Sequence, residues 1–104
     1  MVSLFSINSF SLEASPSSAI KAMQVYPDYG GGDFTFYLES KASECVGYWV
    51  SKNSPAYNTT VSMLLAAFHA SANILVYGHT EESAEWTGAG TKYCKVYTVA
   101  IAKS

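Results

Sequence analysis

One segment of this chain has the spacing of an amphipathic helix, and the segments on both sides of it are typical of β-strands. The helical segment runs from about residue 55 to residue 71. Ser54 is placed to act as its N-cap, and Pro55 suits the first helical position. Its apolar stripe consists of Tyr57, Val61, Leu64, Leu65, Phe68 and Ala72. The order of strands, one helix and further strands therefore predicts a mainly β fold with one packed helix.

The strand segments are recognised by alternation of apolar and polar residues or by richness in β-branched and aromatic residues. They are residues 19–26, 34–39, 45–51, 74–77 and 93–102. No long helical crossover separates most of them, so we predict a small antiparallel β-barrel or curled sheet with the helix packed on it. At 104 residues the chain suits one domain. Residues 1–18 form an N-terminal segment, either an extra strand or the remnant of a leader, and residues 19–104 form the barrel with its helix.

The charge of the chain argues against several classes of partner. Only 13% of the residues are charged, against roughly 25% in typical domains, and there is no Arg. The six Lys are scattered and the net charge is −2, whereas nucleic-acid binding needs clustered basic residues. No apolar run approaches the roughly 18 residues that span a bilayer. We therefore expect no nucleic-acid partner and no membrane insertion.

The two cysteines, Cys45 and Cys94, each lie at or inside a predicted strand, 49 positions apart. A disulfide between them would stabilise the fold by roughly 4 kcal/mol in the loop-entropy model. The alternative is a pair of buried free thiols in a cytosolic protein. The low charge and the many Tyr, Ser and Thr residues favour the disulfide, and with it a secreted or periplasmic protein.

The second face of the predicted helix carries no charge. No Lys, Arg, Asp or Glu occurs between Asn53 and Thr80, although a solvated helix face normally has charged residues. Small neutral residues, with one histidine, line this face and its flank: Ser62, Ala66, His69 and Ala70. This composition predicts that another copy of the chain covers them. The alternative is a weakly polar surface of a secreted protein.

Residues that could perform catalysis or bind a metal do not form a recognisable pattern. His69 and His79 are ten residues apart, and neither a zinc-type His nor a zinc-type Cys spacing occurs. The three Glu residues at positions 81, 82 and 85 are better explained as a charged loop than as a glycosidase pair. No Gly-x-Ser-x-Gly motif or phosphate-binding glycine loop is present. We therefore expect no enzyme, no cofactor and no metal site.

A binding surface is the remaining candidate site. One group of residues borders the glycine turn at residues 27–33, and a second group lies in the long connection at residues 78–92. The candidate residues are Tyr26, Asp28, Tyr29, Asp33, Trp86 and Thr87. Aromatic rings can stack on the apolar face of a sugar, and carboxylates and hydroxyls can bind its OH groups. The alternative is that these aromatic residues cover the edges of a small core.

Several stretches together resemble a known family. The hairpin GDFTFYLES…CVGYWVSKNSPAY leads into the helix VSMLLAAFHASA, the strand NILVYG and the segment WTG…YCKVYTVAI. This order is similar to that of the B subunits of AB5 toxins in the subtilase-cytotoxin and pertussis-like group. The resemblance implies an oligomer-binding (OB) barrel, a pentameric ring with helices lining its pore, and recognition of cell-surface glycans. It also implies a toxin A subunit as a further partner.

The resemblance covers about two thirds of the chain and leaves the N-terminal third unmatched. We therefore predict a secreted, glycan-binding B subunit or a lectin like it, forming a homo-oligomeric ring. The alternative function is that of a secreted oligomeric assembly protein that binds no sugar and has no enzymatic activity.

Overall fold

The computed structural model describes residues 11–103. Its elements in chain order are β1 Leu12–Ala14, β2 Ile20–Tyr26, β3 Asp33–Leu38, β4 Gly47–Val50, α1 Tyr57–His69, β5 Ile74–His79 and β6 Tyr93–Ile101. A short 3₁₀ turn at Glu82–Ala84 lies between β5 and β6. The predicted class, mainly β with one helix, is confirmed. Of the predicted N-terminal segment, β1 is a strand, and residues 1–10 lie outside the described part of the chain.

The six strands form one sheet in the order β1-β5-β6-β4-β3-β2. Four of the five neighbouring pairs are antiparallel, but β4 and β6 run parallel. The chain reverses its direction once through the helix into β5 and again into β6, so β6 has the direction of β4. The predicted antiparallel sheet is thus a mixed sheet, and it does not close into a continuous barrel.

The first two strands bring the two ends of the sheet close to each other. In the segment between β1 and β2, Ser18 exchanges backbone hydrogen bonds with Ile74 of β5, at 2.8 and 3.0 Å. The next residue, Ala19, accepts a hydrogen bond from the backbone N–H of Glu39 at the end of β3 (2.9 Å). One bent segment therefore binds both β5 and β3, and the sheet curls although it remains open.

The core lies between the concave side of this sheet and the helix. Its largest fully buried side chains include Tyr48, Phe36, Leu64, Ile74 and Val76. The rings of Phe36 and Tyr48 stack at 5.4 Å across neighbouring strands. Burial of this apolar surface is the main stabilising term for a domain of this size.

The predicted disulfide between Cys45 and Cys94 is present, with its sulfur atoms 2.04 Å apart. Both residues are buried. The bond joins the segment that precedes β4 to the start of β6, so it crosslinks the parallel pair of strands at one end. Glu13 of β1 adds a polar contact there, because its carboxylate accepts the backbone N–H groups of Glu44 and Cys45 at 3.0–3.1 Å.

The helix begins and ends two residues inside its predicted bounds. Its N-cap is Ala56, without a side-chain cap, and Ser54 and Pro55 belong to a preceding turn. The hydroxyl of Ser54 accepts the N–H of Ala56 at 3.3 Å within that turn. The prediction that Ser54 caps the helix is therefore wrong, because a turn uses its hydroxyl before the helix starts.

The apolar stripe of the helix is also narrower than predicted. Leu64 and Ala67 are buried against the sheet, and Tyr57 and Val61 pack at the margin of the core. In contrast, Leu65 is 50% exposed and Phe68 is 44% exposed. A small curved sheet covers only a strip of a helix, so apolar residues about 100° away around the helix stay uncovered.

Part of the second face of the sheet, around Thr35 and Trp49, is covered by the connection at residues 80–92. Thr35 and Trp49 are neighbours across β3 and β4, and the indole N–H of Trp49 donates to the carbonyl oxygen of Ala84 (2.9 Å). Thr35 is consequently buried, although its place in the alternating pattern of β3 predicts an outward side chain. This long connection is an ordered layer on the sheet, and it carries part of the candidate site.

Candidate functional site

Asp33, the first residue of β3, joins three loops at one end of the sheet. One carboxylate oxygen accepts the indole N–H of Trp86 at 3.0 Å, and the other accepts the backbone N–H of Lys52 at 3.1 Å. Asp33 itself follows the glycine turn and is only 5% exposed. A buried carboxylate needs such donors to offset its loss of hydration. Asp33 therefore holds the turn before β3, the turn before the helix and the long connection together.

The glycine turn depends on backbone conformations that glycine adopts easily. Gly30, Gly31 and Gly32 all have positive φ angles, of 65°, 77° and 120°. A Cβ atom on Gly30 would overlap the carboxylate of Asp33. The turn is also attached to the helix, because the hydroxyl of Tyr57 donates to the carbonyl oxygen of Gly32 at 2.6 Å. The three glycines thus place Tyr29 beside the long connection.

An aromatic cluster surrounds Trp86. Its indole lies 5.0 Å from the ring of Tyr26, 5.3 Å from that of Tyr29 and 6.1 Å from that of Tyr93, measured between centroids. The contact with Tyr29 is edge-to-face, with an interplanar angle of 80°, a geometry that aromatic pairs favour. Gly88 packs directly on the indole, since a Cβ there would overlap it. Trp86 is consequently 5% exposed.

The solvent-facing part of this cluster is formed by four residues, which we call the aromatic rim: Tyr26, Asp28, Tyr29 and Thr87. Tyr29 is 39% exposed, and its hydroxyl lies 2.6 Å from the hydroxyl of Thr87. Asp28 and Thr87 are exposed, and Tyr26 is half-buried. The rim therefore combines a partly exposed tyrosine ring with the hydroxyl of Thr87 and with the exposed carboxylate of Asp28 in the same turn.

The structure brings together the two groups of candidate binding residues that the sequence places 50 or more positions apart. Tyr26, Tyr29, Asp33, Trp86 and Thr87 form one connected cluster, and Asp28 lies in the same turn. Their roles differ, however. Trp86 and Asp33 are buried and position the cluster. The burial of Trp86 agrees with the alternative interpretation, in which the aromatic residues cover the edges of a small core. The aromatic rim, in contrast, faces solvent.

Sequence reasoning missed Tyr93 as a member of this cluster. Its ring lies against Trp86, and it also occupies the space beside Gly47, where no Cβ would fit. Burial, with smaller effects of Tyr37 and Tyr26, raises the pKa of Tyr93 above its ordinary value. Its position next to Cys94 could have identified it. Neighbouring residues in a strand point to opposite faces, so Tyr93 is expected on the face opposite to that of the buried Cys94.

Two ion pairs involve charged or titratable groups in or beside the long connection. Nδ1 of His79 lies 3.3 Å from a carboxylate oxygen of Glu81, and the ammonium group of Lys92 lies 3.1 Å from the carboxylate of Glu44. Hydrogen bonding to its own backbone N–H, with further contributions from Ser11 and His79, lowers the pKa of Glu81. Among the residues that the structure describes, no three His, Cys, Asp or Glu side chains are arranged as metal ligands would be.

The predicted oligomer interface lies on the side of the helix that faces away from the sheet. All four of its residues, Ser62, Ala66, His69 and Ala70, are exposed. The exposed Leu65 and Phe68 lie on the same helix. We call the surface formed by these six residues the outer helix face. It is partly apolar, and it carries no charge when His69 is neutral.

Comparison with known proteins adds no relative. No protein-family model matches the chain, and no curated protein matches it either.

Within residues 11–103, no helix has the length and apolar character needed to cross a membrane.

Proposed function

We propose that this chain is a secreted, glycan-binding subunit that forms a homo-oligomeric ring, like the B subunits of AB5 toxins that its sequence resembles. The observation that carries the glycan-binding proposal is the aromatic rim. Two candidate groups from distant parts of the sequence meet there, and a partly exposed tyrosine ring lies beside a hydroxyl and an acidic turn.

The rim has the chemistry of a small carbohydrate site. The exposed part of the Tyr29 ring, 39% of the residue, offers an apolar surface on which the C–H face of a sugar ring can stack. Asp28 offers a carboxylate, and Thr87 offers a hydroxyl that both donates and accepts. Because Asp33 and Trp86 hold the two loops in place, little ordering is needed when a ligand binds.

The fold supports the same proposal in a more general way. If the bent segment containing β1 and β2 is counted as one strand, the sheet has five strands and is curled and open. An OB fold is a five-stranded, partly open barrel of this kind that binds ligands through its loops. The buried disulfide favours an oxidising compartment, which agrees with a secreted protein. A pentamer and a toxin A subunit remain proposals from the resemblance alone.

A glycan array probed with the non-reduced protein tests this function. We expect binding to a defined set of glycans, and loss of most of it in Tyr29→Ala. Tyr77→Ala is the matched control, because Tyr77 is a partly exposed tyrosine on β5, outside the aromatic rim. Binding that both variants reduce equally, or no binding to any glycan, would contradict the proposal.

A second candidate function, an assembly protein that binds no sugar, is favoured by the outer helix face. The exposure of Leu65 and Phe68 suits contact with another protein. This function predicts an oligomer by light scattering, no signal on the glycan array, and a native mass that does not change in Tyr29→Ala.

A further inference from the structure

Acidic residues are concentrated in the two loops that carry the aromatic rim. Residues 26–33 contain two Asp and residues 80–91 contain three Glu, and neither segment contains a Lys or a His. The chain as a whole has no Arg. Because like charges in one region add to a common potential, an anionic ligand at the rim would be repelled unless a lysine from another segment compensates these carboxylates.

Two lysines adjoin these loops, and the ammonium group of each contacts another partner. Lys52, beside the glycine turn, holds its ammonium nitrogen 5.3 Å from the ring centroid of Tyr57. Lys92, at the end of the long connection, pairs with Glu44 at 3.1 Å. Within residues 11–103, no ion pair joins a lysine to Asp28, and Asp28 is exposed. A ligand at the rim therefore meets the carboxylate of Asp28 without a compensating ion pair from these residues.

The glycine turn already holds one carboxylate. The carboxylate of Asp33 occupies the space that a Cβ atom on Gly30 would fill, and Asp33 is only 5% exposed. Repulsion between a buried charge and a ligand is screened less by solvent and salt than repulsion between two exposed charges. A carboxylate or sulfate group that approached the turn would therefore be repelled by Asp33 as well as by Asp28.

The hydrogen-bonding groups of the rim side chains favour a ligand that donates hydrogen bonds. The ionised carboxylate of Asp28 only accepts. The hydroxyls of Tyr29 and Thr87, 2.6 Å apart, share one of their two protons between them, and the hydroxyl of Tyr26 donates to the side-chain oxygen of Gln24 at 3.2 Å. A sugar hydroxyl both donates and accepts, whereas an ionised carboxylate or sulfate only accepts. The rim side chains therefore match a ligand rich in hydroxyl groups.

We propose that the aromatic rim selects neutral sugars, hexoses or N-acetylhexosamines, and discriminates against sugars that carry a carboxylate or a sulfate. This inference rests on the proposed function, glycan binding at the rim, and names the class of sugar that the rim takes. A hexose and its hexuronate present the same C–H face, so stacking on Tyr29 does not separate the two classes. The charge of Asp28 does, and Asp28 is therefore the specificity-determining residue of the site.

A hexose and its hexuronate form a matched pair of ligands, because they differ only in a CH₂OH group against a carboxylate. Each hexose-terminated glycan that binds on the array is compared, by titration, with the same glycan oxidised at its terminal C6. We expect the neutral form to bind roughly tenfold more tightly at low salt, from repulsion between unit charges a few ångströms apart near a protein surface. This preference should narrow as salt is added. In Asp28→Asn it should fall to about twofold or less, because one of the repelling charges is gone.

Glu82→Gln is the matched control, because it removes the same charge at an exposed position of the long connection outside the rim. We expect it to keep the preference of the natural chain.

Three results would overturn the proposal while glycan binding itself stood. They are equal or tighter binding of the hexuronate, a preference in the natural chain that salt does not change, and an equal effect of Asp28→Asn and Glu82→Gln on the preference. An array that shows no binding to any glycan would instead overturn the proposed function, and this inference with it. The two failures are therefore distinguishable.

Discussion

At the loop end of the sheet, Trp86 is 5% exposed and contacts three tyrosine rings, whereas Phe68 on the helix is 44% exposed. The two regions differ in how far contacts within one chain cover their side chains and pair their polar atoms. At the loop end, the polar atom of the indole has the carboxylate of Asp33 as its partner, and the loops cover the ring. On the outer helix face, nothing in residues 11–103 covers Leu65 or Phe68 to a similar extent. The first region is therefore complete in the monomer, and the second is suited to a contact between molecules.

The largest expected effect comes from removing the centre of the loop end. We expect Trp86→Ala to lower the free energy of unfolding by about 3–5 kcal/mol, because it leaves a cavity and removes the donor to Asp33. Phe68→Ala should lower it by less than about 1 kcal/mol, since that ring is already partly hydrated. Urea unfolding at a low protein concentration measures both variants. Equal losses would show that the two regions do not differ as described.

A smaller effect is expected from Asp33→Asn. Asparagine has an NH₂ group in place of one of the two carboxylate oxygens of Asp33. The N–H of either Trp86 or Lys52 would then face this NH₂ donor instead of an acceptor. We expect a loss of about 1–3 kcal/mol of unfolding free energy. Asp28→Asn, the same change at an exposed position of the same turn, should change it by less than about 0.5 kcal/mol. Similar values for the two variants would contradict the role of Asp33 in joining the loops.

Alkaline pH should weaken the core and the loop end. Burial, and to a lesser extent the nearby Glu13, raises the pKa of Tyr48 from its ordinary value of 10.0 to about 12. Burial also raises the pKa of Tyr57 and of Tyr93. A pKa that is higher in the folded chain contributes stability that is complete below about pH 10 and is lost as pH rises towards 12.

For Tyr48 this loss amounts to roughly 2 kcal/mol. Unfolding free energies measured between pH 9 and 12 should therefore decline, and the decline should be shallower in Tyr48→Phe. A curve in Tyr48→Phe as steep as in the natural chain would assign the loss to other groups.

A small change in monomer stability is also expected for substitutions on the outer helix face. Leu65→Ser should change the unfolding free energy by less than about 1 kcal/mol, because half of that side chain is already exposed. If the face contacts another molecule, the same variant should reduce the native mass measured by light scattering. An unchanged mass together with an unchanged stability would show that the exposed apolar residues are surface residues that contact no other molecule.

Much of the fold was predictable from local patterns, and several details were not. The helix, five of the strands and the turn at residues 27–33 follow from spacing and glycine content, and all are present. The parallel pairing of β4 with β6 could not be inferred, because strand direction depends on the path of the intervening helix. The exposure of Leu65 was also missed, since helical spacing shows which residues share a face but does not show how much of it a sheet covers.

For the candidate site, the sequence predicted the residue types and not their separate roles. Tyr29 and Trp86 are both aromatic residues in loops, and nothing in their local sequence distinguishes the exposed ring from the buried one. The hydrogen bond between Trp86 and Asp33, 53 residues apart, makes that distinction.

By itself, the sequence determined the mainly β class with one helix and the positive-φ glycine turn. Because the chain has only two cysteines, it also determined which residues an intramolecular disulfide would join. These follow from the spacing of neighbouring residues and from chemistry that allows one pairing. The tertiary structure alone decided that the glycine turn and the long connection meet at Asp33, and that Trp86 is covered while Tyr29 is partly exposed to solvent. Burial and pairing depend on which distant segment reaches a given face, and local periodicity carries no information about that segment.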